Sequence, residues 1–331
     1  LIPGVDFQRK TNCTLLDNLK GQKTEKNTAA FTTTVLLVIT LSVTPAGGEE
    51  STLITTPPAC PTCCEVLKPY PGISADELMK ITYYLKYSKF ARDYKSAGFA
   101  KLIPPHAPSR TKEWRRFRII LNQKEEEVDY KDLLIILGPH NMKGLSILTW
   151  TYLDSTKDQE VWMWLPSLRK VRRMSQSEEA DPFLGSEFTT EDISTRRWES
   201  EIYKMVGGGK FKGYTAHSNN KMYQMDTDCY VIEAKPKRKD GYYSRRIIWL
   251  NKQSAAFIFA DIYDPGGRKW KTHFKNYAVW ENGCIPNTLW EGENQFTHHR
   301  TTIGFKENHI QFNTDLPETF FSQKTLMRSK W

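Results

Sequence analysis

The chain has 331 residues, 39% hydrophobic and 12% aromatic, a composition that excludes intrinsic disorder and allows one large all-β domain or two ordinary ones. Its formal net charge of +9 nominates nucleic acid, anionic lipid or acidic protein as partner classes. Aromatic and β-branched residues recur in short runs, so strands are expected to dominate.

Residues 29–43, AAFTTTVLLVITLSV, are uncharged and apolar, with Lys20, Lys23 and Lys26 before them and TPAGGEE after them. Thr44 and Ala46 occupy the small-residue positions of a cleavage site. That is the layout of a secretory signal peptide, and the run is short for a membrane span. Residues 1–46 are therefore expected to be a lead and an export signal, with 1–25 upstream of the signal proper; a retained membrane anchor is the alternative. Cleavage after Ala46 lowers the net charge to +7 by removing five basic and three acidic residues. Export argues against nucleic acid as partner. Anionic head groups, acidic partners or a merely solvated basic surface are left.

The next segment, 47–73, reads as a Pro- and Cys-rich linker. Its CPTCC run (60–64) has no second C-x-x-C or C-x-x-H to complete a zinc site, and haem attachment needs a histidine where Cys64 stands. Ordinary disulfide pairing is expected among Cys60, Cys63, Cys64, Cys229 and Cys284, an odd number that leaves one thiol over. No metal or cofactor is expected.

Residues 74–331 read as one domain. SADELMKITYYLKYSKFARDYKS (74–96) predicts a helix, with Ser74 and Glu77 as a capping box and Leu78, Ile81, Leu85 and Phe90 along one stripe. From Arg115 onward strand follows strand, joined by short turns such as DPGGR (264–268) and KRKDG (237–241). Only 181–195 and 316–327 break the series. The expected fold is mainly β: a single, strongly curved antiparallel sheet over one core. In LSILTWTYL (145–153) both alternating sets are bulky, and SRRIIWLN (244–251) and EVWMWLP (160–166) behave alike. Both faces of such a sheet need covering, and one helix with one flap leaves apolar surface for a guest.

Several features point to chemistry only weakly. KMVGGGKFKG (204–213) lacks the Ser or Thr of a phosphate loop, since Phe211 follows Lys210, and is read as a flexible turn. His273, His298, His299 and His309 are read as exposed strand histidines. No G-x-S-x-G or H-E-x-x-H is present, so nothing nominates catalytic machinery. The set Trp150, Tyr152, Trp162, Met163, Trp164, Trp249, Phe257 and Phe259 is either plain core or, on one face, the wall of an acyl-chain pocket. In LRKVRRM (168–174), Arg169, Arg172 and Arg173 mark either a solvated edge or a rim for anionic groups.

LTWTYL (148–153), W-x-W-L-P-S-L-R-K-V-R-R (162–173) and DPFLGSEFTTEDI (181–193) follow one another in order. With WLNKQSAAFIFADIYDPGGRKWK (249–271) and LPETFFSQKTLMR (316–328), they resemble the outer-membrane lipoprotein-sorting proteins, the LolA/LolB-like family, in its uncharacterised exported branch. The resemblance covers roughly 74–328. It implies an unclosed, strongly curved antiparallel β-barrel with a helical lid and an apolar cavity that shields acyl chains. On that footing the protein is expected to be a periplasmic, non-enzymatic binder or carrier of a lipid or lipoprotein acyl chain. Trp150, Tyr152, Trp162, Trp164, Trp249, Phe257 and Phe259 would form the cavity wall, Phe183, Leu184 and Phe188 the lid, and Arg169, Arg172 and Arg173 the rim. An envelope transporter or an outer-membrane acceptor would be its partner. The alternatives are a non-catalytic adaptor of an envelope lipid-export complex and an enzyme built on a lipid-binding barrel.

Overall fold

The computed structural model describes residues 68–86, 91–122, 127–174, 180–194, 196–238, 241–278 and 287–328. The expected export signal, the CPTCC run and Cys284 lie outside them; Cys229 is a buried free thiol.

The chain enters through helix α1 (Ala75–Lys86). The Ser74 hydroxyl accepts the Glu77 N–H at 3.2 Å, and the Glu77 carboxylate accepts the Ser74 N–H at 3.3 Å, the reciprocal pair expected there. The helix is shorter than the sequence suggests. By Asp93 the chain is already in a strand, β1 (Asp93–Ile103), so the expected helix over 74–96 is corrected at its C-terminal end.

A meander follows: β2 (Arg110–Ile120), β3 (Val128–Gly138), β4 (Ser146–Tyr152), β5 (Glu160–Leu165) and β6 (Lys170–Arg173). Beyond the connecting segment come β7 (Glu201–Phe211), the short pair β8 (Tyr214–Thr215) and β9 (Met222–Tyr223), and then β10 (Thr227–Pro236). The meander resumes through β11 (Arg245–Asn251), β12 (Phe257–Tyr263), β13 (Lys269–Tyr277), β14 (Asn287–Asn294), β15 (Arg300–Phe305) and β16 (Gln311–Phe312). The two halves join where β1 pairs with β15, giving one 14-stranded antiparallel sheet whose free edges are β6 and β7. Gly207, Gly208 and Gly209 are not a turn: they lie inside β7, paired to β10 beside a register shift.

The sheet is curled, and α1 shows by how much. Its Leu78, Met79 and Ile81 pack on Ile232 of β10 and on Ile248 and Leu250 of β11. Its Tyr83 hydroxyl donates to Asp129 of β3 at 2.8 Å. In a flat sheet β3 and β10 would stand roughly 38 Å apart, whereas a helix of this length spans about 18 Å. One helix touches both because the sheet folds around it. The described structure is mainly β, one antiparallel sheet that does not close.

The outer face is covered by the chain itself. Over β2–β5, Phe321, just ahead of helix α3 (Gln323–Leu326), and Leu326 within it pack on Leu121, Leu133, Ile135, Leu148 and Trp162. Over β12–β14, Tyr214 stacks on Phe274 with ring centroids 4.2 Å apart. The fully buried Glu291 pins that hairpin by accepting the His217 and Ser218 N–H groups at 2.8 and 3.0 Å.

Candidate functional site

Between β6 and β7, residues 181–194 lie across the inner face. The Phe183 N–H donates to the Phe188 carbonyl at 2.8 Å, and Pro182 bridges to Thr189, so 182–189 closes on itself as a compact loop. Helix α2 (Thr190–Ser194) follows at once. Thr189 and Asp192 cap it reciprocally, with N–H to oxygen distances of 3.0 and 3.1 Å.

This arrangement points Phe183, Leu184, Phe188 and Ile193 toward the sheet, against Trp114, Leu134, Ile136, Trp290 and Ile303. Phe188 is fully buried, its ring 4.5 Å from that of His273 and 5.8 Å from that of Trp290. Gly292 permits the approach, since a Cβ there would stand 3.1 Å from the Glu187 Cβ. Between lid and wall a cavity of about 50 Å³ is left, lined almost wholly by apolar side chains. An apolar hollow of roughly 150 Å³ is the size that accepts benzene. With the lid seated, the lid itself fills the trough.

Polar contacts hold it there. Lys112 donates to the Leu184 carbonyl. Arg116, paired with Asp132 at 2.8 Å, donates to the Ile193 carbonyl at 2.9 Å. Glu187 is gripped most closely: its N–H donates to Thr301 at 2.9 Å, and its carbonyl accepts from Lys271 at 3.3 Å and from His273 Nε2 at 3.1 Å. Its carboxylate meets Lys271 at 3.1 Å and His299 at 2.8 Å.

Past α2 the inner face turns polar. Arg196 binds Glu191, Asp192 and the hydroxyls of Tyr242 and Tyr243. Arg246 forms a two-pronged pair with the fully buried Glu201, whose carboxylate also accepts from Tyr203 and Tyr243. Burial alone would raise the Glu201 carboxyl, but the Arg246 and Arg196 guanidinium groups outweigh it and hold the group below its usual range. Burial pushes Glu191 up and His273 down, the latter to about 4, so His273 is neutral at pH 7. A second space of about 60 Å³ opens here, with Tyr83, Tyr203, Arg246, Phe257 and Lys275 in its lining. The two spaces adjoin: Asp192 lines one and Ile193 the other, and Lys275 Nζ lies 3.9 Å from the Trp290 ring.

The structure brings Phe183, Leu184 and Phe188 together on the inner face, but it distributes the expected wall. Trp150, Trp162 and Trp164 lie on the outer face beneath Phe320 and Phe321, and Tyr152 continues their alternating set. Trp249 and Phe259 lie with Phe211 and Phe274 under the β8–β9 hairpin. Phe257, past a register shift, lines the inner polar space. Arg169, Arg172 and Arg173 are exposed at the free β6 edge, where Arg173 meets Glu160 at 3.7 Å. His273 is corrected from an exposed strand residue to a buried one, because the β13 register turns 271, 273 and 275 inward. His298 and His299 lie in the turn ahead of β15 rather than on a strand. Sequence patterning misses Trp114, Trp290, Lys112, Arg116 and Lys271, although the alternating Lys271, His273 and Lys275 carried a period-two signal.

Among the described residues no helix is long and apolar enough to cross a membrane, and no three His, Cys, Asp or Glu side chains form a metal site. The family that matches residues 128–328 is described as an uncharacterized protein. A domain from Vibrio parahaemolyticus assigned to outer-membrane lipoprotein sorting is similar in structure, with TM-score 0.62, 23% identity and coverage of 77% of this chain and 98% of that one. A DUF1329 family protein from Desulfovibrio piger is similar with TM-score 0.63, 20% identity and coverage of 78% and 100%. A LolA superfamily protein from Nitrosomonas europaea follows with TM-score 0.55, 14% identity and coverage of 76% and 99%. No curated protein matches the chain.

Proposed function

The chain belongs to the uncharacterized family matched over 128–328 and has the LolA-like, outer-membrane lipoprotein-sorting fold, and we propose that it is a periplasmic, non-enzymatic carrier of a lipid or lipoprotein acyl chain. One observation carries this reading. The lid's apolar side chains sit in an apolar hollow on the inner face of an unclosed sheet, held by side chains that grip lid carbonyls. No ladder hydrogen bond of the main sheet is lost if 181–194 swings away. The wall exposed would be Trp114, Leu134, Ile136, Trp290 and Ile303, a surface suited to acyl carbon at about 0.8 kcal/mol per buried methylene.

Cargo would enter beneath 181–194 once that segment swings away, and leave toward an envelope transporter or outer-membrane acceptor. Native mass spectrometry of protein isolated from an envelope fraction should show a retained lipid, and delipidated protein should take up a fluorescent fatty acid saturably. A bare protein mass together with no uptake would refute the carrier role.

The small residual volume favours a second reading, an adaptor of an envelope lipid-export complex whose hollow is permanently self-filled. It predicts a stable protein partner and no lipid in the same preparations.

A further inference from the structure

We infer, resting on the carrier reading above, that the cargo is an anionic amphiphile whose head seats on Lys271, His273 and Lys275 of β13 while its tail replaces Phe183, Leu184, Phe188 and Ile193. The lid is built like such a molecule. Its apolar side chains fill the hollow, and two of its four acids, Glu187 and Asp192, face the β13 strip at the end of the hollow. Lys271 meets the Glu187 carboxylate at 3.1 Å, and His273 Nδ1 lies 4.0 Å from Asp192. Lys271, His273 and Lys275 are all buried.

Removing the lid therefore strips Lys271 of a carboxylate and a carbonyl, and strips His273 of the carbonyl it donates to. A buried cation left without its partner is strongly disfavoured. A neutral amphiphile refills the hollow but leaves that cation unpaired. A carboxylate or phosphate head restores the pair, and Lys275, standing over Trp290 where the two spaces adjoin, adds a second positive charge beside the tail. His299, which holds the other Glu187 oxygen at 2.8 Å, is placed to follow the same anion.

The test compares delipidated full-length protein with three palmitoyl ligands of equal chain length: palmitate, palmitoyl lysophosphatidate and monopalmitoylglycerol. Displacement of a neutral fluorescent acyl probe reports the affinities. Both anions are expected to bind roughly tenfold or more tightly than the neutral lipid, the scale of one charge-assisted contact. The tighter of the two anions identifies carboxylate or phosphate as the natural head. Lys271→Gln, and separately Lys275→Gln in case the first fails to fold, should abolish the preference, read within each variant as the ratio of anion affinity to monopalmitoylglycerol affinity. Glu187→Gln, which weakens the lid's hold on the strip, should tighten anion binding. Equal affinity for all three lipids would overturn the anionic head and leave the carrier reading standing. Binding of none would overturn both.

Discussion

His273 donates from Nε2 to the Glu187 carbonyl, which leaves Nδ1 without a proton, facing Asp192 in a buried site. Burial sets its folded pKa at about 4, against roughly 6.5 for an unconstrained histidine. As pH falls below 6.5 the unfolded chain takes up a proton that the folded chain refuses until about 4, so stability is full above that window and declines through it. The urea midpoint should accordingly drop between pH 7 and pH 5, and His273→Gln, whose amide can still donate to Glu187, should flatten the slope. A wild-type midpoint identical at both pH values would rule out a buried neutral ring. The Glu201–Arg246 pair behaves differently. Arg246→Met leaves a fully buried carboxylate without its guanidinium and should cost about 3–5 kcal/mol in urea unfolding. Adding Glu201→Leu should recover much of that loss, because the apolar pair removes the unpaired charge. A double variant no more stable than Arg246→Met would show that Tyr203 and Tyr243 depend on the carboxylate for more than charge balance.

At the level of elements, the junction of the two meanders depends on close contact between β1 and β15. A Cβ on Gly98 would stand 2.1 Å from the Gly304 carbonyl and 2.5 Å from the Trp114 ring. Gly98→Ala must therefore spread the strands and should cost about 1–3 kcal/mol, as overpacking does. Gly207→Ala in edge strand β7 meets nothing within 4 Å and is the near-neutral control in the same denaturation series. That same tightness hid β1 from the sequence. DYKSAGFAKLI offers small residues and lysines where a half-buried strand normally alternates, and it follows directly on a strong helix signal. The later strands were legible because their runs are long and apolar, yet that richness obscured the site. Leu133 and Ile135 face outward while Leu134 and Ile136 face the lid, and four consecutive apolar residues do not say which face is inner. The lid could be read from DPFLGSEFTTEDI, since its turn residues and the Thr189–Asp192 cap are local. Its latches could not: Lys271 and His273 meet Glu187 from more than eighty residues away, and on their own strand they resemble a solvated row. Phe188→Ala tests the lid as an element. Losing a fully buried ring should cost about 3–5 kcal/mol, and amide exchange should rise in 181–194 before it rises in β3 or β14.

For the molecule as a whole, the consequence of an unclosed sheet is that the inner face over Trp114, Leu134, Ile136 and Trp290 is covered by a connecting segment rather than by strands. β6 and β7 are the two ends of a single ladder, and residues 181–194 between them lie over the trough. Arg197 secures its far end by donating to the carbonyls of Tyr152 and Leu153 at the end of β4. Opening then requires release of the Lys112, Arg116, Lys271, His273, His299 and Thr301 contacts and of the apolar side chains around Phe188, but of no strand pairing in the ladder itself. A covalent lock separates this gate from any other route. The ideal Cβ of Gly292 lies 3.1 Å from the Cβ of Glu187, a few tenths of an ångström inside the separation of roughly 3.5–4.5 Å that a disulfide prefers. Glu187→Cys with Gly292→Cys should therefore cross-link on oxidation with small local adjustment. The oxidised protein should lose uptake of a fluorescent fatty acid and regain it on reduction, while wild-type protein carried through the same treatment controls for the native thiols. Because the two states share one sequence, lost charge or altered folding cannot produce the difference. If the cross-linked protein fills as readily as the reduced one, cargo does not pass beneath this lid, and the trough it covers is structural core.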